Sequence, residues 1–496
     1  IFGRGGNGVG ITGVAPKAKG AGLRWDMGIT DDESTADLID FKAFKFDVHN
    51  ASWGMPDGGL VASSPGPLTL DQFERNSAGL SPLPYVFPAG NGAPEGTDIG
   101  ANSNYDGFAN NRHTITVTSL YGGELGANII CAAAPPSPTT AIDGDEDGVA
   151  PDNYFEVDES ETSFAAGVVS GLIALMTEAR ETSGRERLGW RDFQEILIAT
   201  SVPTSPTFVS NGGIPAPIFD PPFPYVWDYA EKDGYGLIDA ATAVAVAEIW
   251  PKLPTKATYY RTVKRTVRPR DEIGEELNQY LFNFGNTTNI RVEHAEVRLI
   301  WQEGAVTQPA TVRLVSPTYT WGPRLDYEDP GGPIIGYHSL MSNHETGVDL
   351  PEDYTLMSVG HWGQLSAGVE DPLQFSLATQ AEPLGKRGYW RVDVSNADGR
   401  RLEKIEVILH GTIPNTPPII DDGDLVASGD PTVLNPERII DQEDLLLTNL
   451  VIIDPDYQDP VIGYQWQQLH PDGVTWSDMP GEKGNLRGEC DWIPVA

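Results

Sequence analysis

The chain is poor in cysteine and in positive charge. Its 496 residues include only two cysteines, Cys131 and Cys490, far apart in sequence, so no disulfide framework is implied. Thirty-three lysines and arginines stand against 71 aspartates and glutamates, a formal net charge of −38. So acidic a chain repels polyanions, which argues against nucleic acid and anionic membrane as partners; it favours solubility, calcium and cationic ligands. No apolar run reaches the roughly 18 residues that suggest a membrane span. No secretory signal pattern and no methionine opens the sequence, and it is expected to be a piece of a longer protein. What the chain has in quantity is glycine (54), proline (40) and tryptophan (12). That composition suits loop-rich α/β and β domains, and the length suggests about two to four of them.

The stretch E-T-S-F-A-A-G-V-V-S-G-L-I-A-L-M, residues 161–176, opens from a polar run directly into a helical pattern. Phe164, Val168, Leu172 and Ile173 form an apolar stripe, while Ala165, Ala166, Gly167, Ser170 and Gly171 keep the other face small enough to lie tight against a sheet. Ser163 then sits at a helix N-terminus, beside unpaired N–H groups and the positive end of the helix dipole. Such a serine is either a nucleophile for a carbonyl, with an oxyanion site at hand, or an ordinary N-cap. Other segments bear on the choice. N-G-V-G-I-T-G-V-A-P (7–16) is a glycine-rich loop feeding a strand, without the Gly-Lys-Ser/Thr of a phosphate loop. Y-V-F-P-A-G-N-G (85–92) is an apolar strand ending in a tight turn around Asn91. D-G-D-E-D-G (143–148) spaces Asp143, Asp145 and Asp147 at alternate positions, as a calcium loop or as an acidic surface loop would. No glutamate stands at the twelfth position, so an EF-hand is not supported.

Together and in this order, these motifs resemble those of subtilisin-like serine proteases. Residues 161–171 are similar to the family's nucleophile motif, with Glu161 in place of a glycine and Gly167 in place of a proline. The resemblance implies that Ser163 is the nucleophile and that the Asn91 side chain donates to the oxyanion. Ser52, Trp53 and Gly54 would pair through their backbone with an extended peptide. Asn7 would help hold a structural calcium. Y-D-G-F-A-N-N-R-H-T-I-T-V-T-S (105–119) is similar to a segment of the kexin/furin-like proprotein convertases. In that branch Asp57 and Asp106 would select a basic residue before the scissile bond (P1). Asp57, Asp98 and Glu124 would share a Ca2+ beneath the pocket, since gathered carboxylates repel unless a hard cation is shared among them. His49, on an expected buried strand, and His113 are read as structural.

Residues 1–255 are thus expected to be a partial subtilisin-like α/β domain with a parallel sheet, its later helices covering 188–201 and 233–247. From 256 to 412 helical periodicity gives way to β-runs at 292–299, 311–317, 354–363, 388–394 and 405–412. Their order resembles the all-β, jelly-roll-like P (homo B) domain that follows the protease in convertases, with His294, His361 and His410 as packing residues. Residues 413–496 read as a linker and a partial immunoglobulin-like module, with a strand pair at 464–478.

The resemblance implies a secreted or cell-surface, calcium-dependent endopeptidase acting on polypeptides after basic residues. In the family the triad aspartate and histidine precede the glycine-rich calcium loop, so both are expected N-terminal to Ile1. The chain alone is then expected to be inactive. Three rivals stay open: a pseudoprotease, suggested by Glu161; a subtilase without basic specificity; and an adhesion protein whose β modules bind other cell-surface modules.

Overall fold

The computed structural model describes residues 1–6, 11–23, 31–54, 64–78, 83–92, 101–135, 161–204, 229–250, 253, 260–269, 278–284, 290–302, 310–316, 338–342, 350–363, 366, 389–395 and 401–413, with short strand pairs elsewhere. The chain divides into two compact units, Ile1–Thr412 and Ile413–Ala496.

In the first unit, helix α1 (Asp32–Asp40) begins where the Asp31 carboxylate accepts the Ser34 N–H at 2.9 Å. Asp32 crosses to accept the N–H groups of Leu68 and Thr69, at 2.8 and 2.9 Å, and so caps helix α2 (Pro67–Ala78) from outside. Strands β1 (His49–Asn50), β2 (Tyr85–Pro88), β3 (Thr114–Ser119) and β4 (Ile129–Ala133) form a parallel sheet in that order. Every residue of β2, β3 and β4 is buried, as befits a parallel sheet covered on both faces. Side-chain alternation along β2 divides the core. Tyr85 and Phe87 join Ile39 of α1 and Phe73 of α2, while Val86 faces helices α3 (Thr162–Thr182), α4 (Trp190–Thr200) and α5 (Ala240–Ile249).

Helix α3 is the axis of this domain. Among the described residues it is the one helix long and apolar enough to cross a membrane, yet it is packed into the core, with Ala165, Ala166, Val169, Leu172, Ile173 and Met176 fully buried. On the small face a Cβ on Gly171 would come within 2.7 Å of Val14 Cβ, so at this point the helix lies against the irregular segment 11–16 and not against the sheet. The apolar stripe needs correcting, because Phe164 and Val168 are only half-buried while Ala165 and Ala166 take the interior. Residues 11–16 are not a ladder strand either. They pair irregularly with the first residues, through Gly13 N–H to Gly3 O at 2.8 Å and Ala15 N–H to Ile1 O at 3.0 Å.

Beyond α5 lie two four-stranded antiparallel sheets. They comprise β5 (Tyr260–Val267), β6 (Asn278–Asn283), β7 (Arg291–Trp301), β8 (Thr311–Val315), β9 (His338–Ser342), β10 (Asp353–Ser358), β11 (Tyr389–Ser395) and β12 (Leu402–Thr412). One sheet has the order β6-β11-β8-β9, the other β10-β7-β12-β5.

Helix α4 joins the β region to the peptidase-like domain. Buried Arg191 donates bidentately to Glu293, with Nε to Oε2 at 2.7 Å, and Thr412 Oγ1 bonds to both side chains. His294 is enclosed by Trp190 and Trp362, at ring-centroid distances of 5.7 and 5.1 Å. A second set of contacts holds residues 104–110. Asn104 Nδ2 donates to Met357 O and Asn110 Nδ2 to Thr355 O, each at 2.6 Å, and Tyr354 donates its hydroxyl to Asn104 O at 2.7 Å.

In the second unit Gln467–Leu469 pairs antiparallel with Trp476–Asp478, and Ile462–Tyr464 with Gly484–Leu486.

Candidate active site

Five segments meet where α3 begins. The helix has no cap of its own, since the Glu161 side chain makes no N-capping bond. The cap comes from the turn after β2 instead: Asn91 Oδ1 accepts the Thr162 N–H at 2.8 Å and the Thr162 hydroxyl at 2.7 Å. The Thr162 oxygen in turn accepts the Gly90 N–H at 3.2 Å. Gly90 and Gly92 flank Asn91 at φ of 108° and 84°, backbone that glycine adopts without a steric cost. Thr162 is thus the buried peg that fixes the turn to the helix, a role the sequence reading missed although the threonine stands inside the quoted motif.

Ser163 follows in the first turn of α3, half-buried. The Ser52 hydroxyl donates to the Ser163 carbonyl at 2.8 Å and accepts from Asn50 Nδ2 at 2.7 Å. The Ser170 hydroxyl donates to Asn50 Oδ1 at 2.9 Å. This polar chain clamps the helix to the end of β1. Trp53 turns inward, edge-on to Phe87 and Phe108 at 5.2 and 4.8 Å. Gly54 lies under Asp106, for a Cβ there would meet the Asp106 Oδ2 at 2.6 Å. Asp106 Oδ1 accepts the Phe108 N–H at 2.8 Å. Glu124 is buried, its N–H bonded to Gly90 O at 3.0 Å, and its carboxylate lies close enough to Gly90 that an added Cβ would strike it at 2.2 Å.

Ser52, Trp53, Gly54, Asn91, Asp106, Glu124 and Ser163 therefore belong to this group of touching segments. Asn7, Asp57, Asp98, Asp143, Asp145 and Asp147 lie outside the described residues. Among the described residues no three metal-ligating side chains gather.

The departure at Glu161 has a visible partner. Asn91 Nδ2, the donor expected for an oxyanion, is bonded to Glu161 Oε2 at 2.6 Å. The histidines are placed elsewhere. His49 on β1 packs beside Tyr85 at 5.2 Å, and burial holds it down to about 4. Burial likewise keeps His113 and His294 well below the ordinary histidine range. His361 bonds with Ser339 and His410 with Thr262, and His410 Nε2 lies 3.2 Å from Glu296 Oε2.

A parallel sheet with a serine at the head of its central helix, opposite an asparagine turn, defines the class. Residues 1–217 match the family model of the subtilases, Peptidase S8. Within that class the chain is similar to proteases of the kexin/furin type. It is 26% identical to furin of Mus musculus over 83% of this chain and 47% of that protein. It is 24% identical to kexin of Candida albicans (strain WO-1) over 80% and 41%, and 28% identical to human proprotein convertase subtilisin/kexin type 6 over 81% and 38%. The chain spans about half the length, or less, of these curated relatives. The serine protease of Aeromonas sobria, solved with its chaperone, shares the fold, with a TM-score of 0.54 at 15% identity over 77% of this chain and 74% of that one.

Proposed function

We propose that the protein is a serine endopeptidase that cleaves polypeptides after basic residues through an acyl-enzyme. The observation that carries this reading is the N-terminus of α3, where Ser163 stands between the Ser52 clamp and the Asn91 turn. Ser163 Oγ attacks the scissile carbonyl, its proton passing to a histidine N-terminal to Ile1, as the family motif order implies. The oxyanion takes the Asn91 amide from Glu161 and the Ser163 N–H, and the amine leaves with the proton returned by the base. Asp106, with Asp57, forms the acidic wall for a basic P1 side chain. Calcium, with Glu124 as one ligand beside Asp57 and Asp98, is part of the proposal on the strength of sequence. A second calcium at Asp143, Asp145 and Asp147, and one at Asn7, belong to it equally. The antiparallel sheets are taken as a jelly-roll-like P domain and the second unit as an immunoglobulin-like module, and the protein as secreted or displayed at the cell surface.

The test is hydrolysis of matched chromogenic peptides with Arg or Phe at P1. A protein that includes the residues N-terminal to Ile1 should cleave the Arg peptide, lose turnover with Ser163→Ala, and lose it on chelation by EGTA. The 496-residue chain alone should be inactive. Equal cleavage of both peptides would leave a general subtilase.

One observation favours a second reading. The Glu161 carboxylate on Asn91 occupies the amide that the oxyanion needs. If no peptide is cleaved by the longer protein, a pseudoprotease whose β modules bind partners becomes the better account.

A further inference from the structure

Strands β5, β7 and β12 run to a common end of their sheet, where an open cavity of about 560 Å³ is lined by Arg268, Ile300, Gln302, Arg401, Glu403 and Lys404. The register explains the recess. Ile300 pairs with Lys404 and Trp301 with Leu402, so Glu403 is the extra residue of a bulge. Pro269 has no N–H to extend the ladder beyond β5. The Gln302 N–H donates to Arg401 O at 2.9 Å and holds one wall, and half-buried Ile300 supplies an apolar surface.

The charge here runs against that of the chain. Among the described lining residues three side chains are cations and one is an anion. Beside them buried Glu406 is shared by Lys264 and Lys404, at 3.2 Å each, and by Arg298 at 3.4 Å. Arg298 is also paired with Asp353. Among the described residues here, Lys264, Arg268, Arg298, Arg401 and Lys404 stand with Asp353, Glu403 and Glu406. Residues 260–270 carry five of the 33 basic residues in a chain of net charge −38. Cations on an edge strand also discourage edge-to-edge pairing. That role asks for charge along β5, whereas the lining cations come from the residue after β5, the residue before β12, and β12 itself.

We propose that the cavity binds the side-chain carboxylates of an acidic polypeptide segment. The Arg268 guanidinium offers paired donors that match a carboxylate, and Arg401 and Lys404 add positive charge to the wall. The lysine and arginine stems, with Ile300, cover the methylenes of a glutamate. The volume lies within the usual range for a ligand site, about 300–1,000 Å³. A short acidic segment feels little of the remaining negative surface, because charges beyond about 8 Å are screened at physiological salt. A long polyanion would have to lie across that surface.

The test is fluorescence anisotropy of a short fluorescein-labelled oligoglutamate titrated with the 496-residue chain. Expected is saturable binding that weakens with added salt. Arg268→Glu should weaken it at least about tenfold, and Glu403→Gln should tighten it roughly threefold by removing a carboxylate from the lining. A misfolded variant cannot produce the gain. Absence of binding, affinity unchanged in both variants, or an oligonucleotide or heparin binding as tightly as oligoglutamate would overturn the proposal. The outcome is independent of peptide hydrolysis.

Discussion

Asn91 serves two ends at once. Its carbonyl oxygen caps α3, and its amide is held by Glu161. Asn91→Ala should therefore lower stability by about 1 kcal/mol through the lost cap and, in the active protein, lower kcat by about 10²- to 10³-fold. Denaturant midpoints and steady-state kinetics would separate the two effects. Glu161→Gly should act the opposite way on rate. It frees the amide and removes a charge that repels the oxyanion, so kcat should rise, on the order of tenfold, with KM little changed. A fall in kcat would make Glu161 a support of the site. The residues of this site were legible in sequence where a motif carried them, as with Ser163, Asn91 and Ser52. The Glu161–Asn91 bond was not, since it joins positions 70 apart that no local pattern relates.

At the scale of elements, α4 and the β-strands show what periodicity reveals. Helix α4 and strands β7, β8, β10, β11 and β12 were visible because each buries a regular apolar set. Strand β5 was not visible. Its sequence Y-R-T-V-K-R-T-V has only half-buried valines, as an edge strand allows, and its charges hide the alternation. Nor could sequence show that α4 would face the β region with an ion pair. Arg191→Ala leaves Glu293 buried without its partner and should cost about 3–5 kcal/mol. Replacing both, as Arg191→Met with Glu293→Leu, should cost less than the single change. Urea unfolding of the three proteins would show the order.

For the first unit as a whole, pH should act through the seam between its α/β and β regions. His294 has neither ring nitrogen hydrogen-bonded, and burial, aided by His410 and Arg112, keeps it neutral well below 6.5. His113 behaves likewise through burial and Arg112. The unfolded chain takes up protons below pH 6.5 that these folded histidines refuse, so stability falls as pH drops. Glu195 slopes the other way. Burial, reinforced by Glu293, raises its carboxyl to about 8 against an ordinary 4.5. The unfolded state then loses a proton that the folded state keeps, and stability declines as pH climbs from 4.5 towards 8. Urea midpoints across this range should show both limbs. His294→Phe should flatten the acid limb. Glu195→Gln, which can still accept the Trp362 indole N–H, should flatten the alkaline one. A variant curve parallel to the parent curve would remove that residue as the cause.

The hydrogen bonds from Asn104 and Asn110 to Met357 and Thr355 span 253 and 245 positions of the chain. On a ribosome adding about 5–20 residues per second, the loop that carries Asp106 waits roughly 10 to 50 s for its anchor to be made. A nascent chain that has finished its peptidase-like portion can already bond this loop to β3, through Thr116 Oγ1 to Ala109 O at 2.7 Å, but it still lacks these two bonds to the later strand. Synthesis itself therefore sets when the last fastening of the loop can be made.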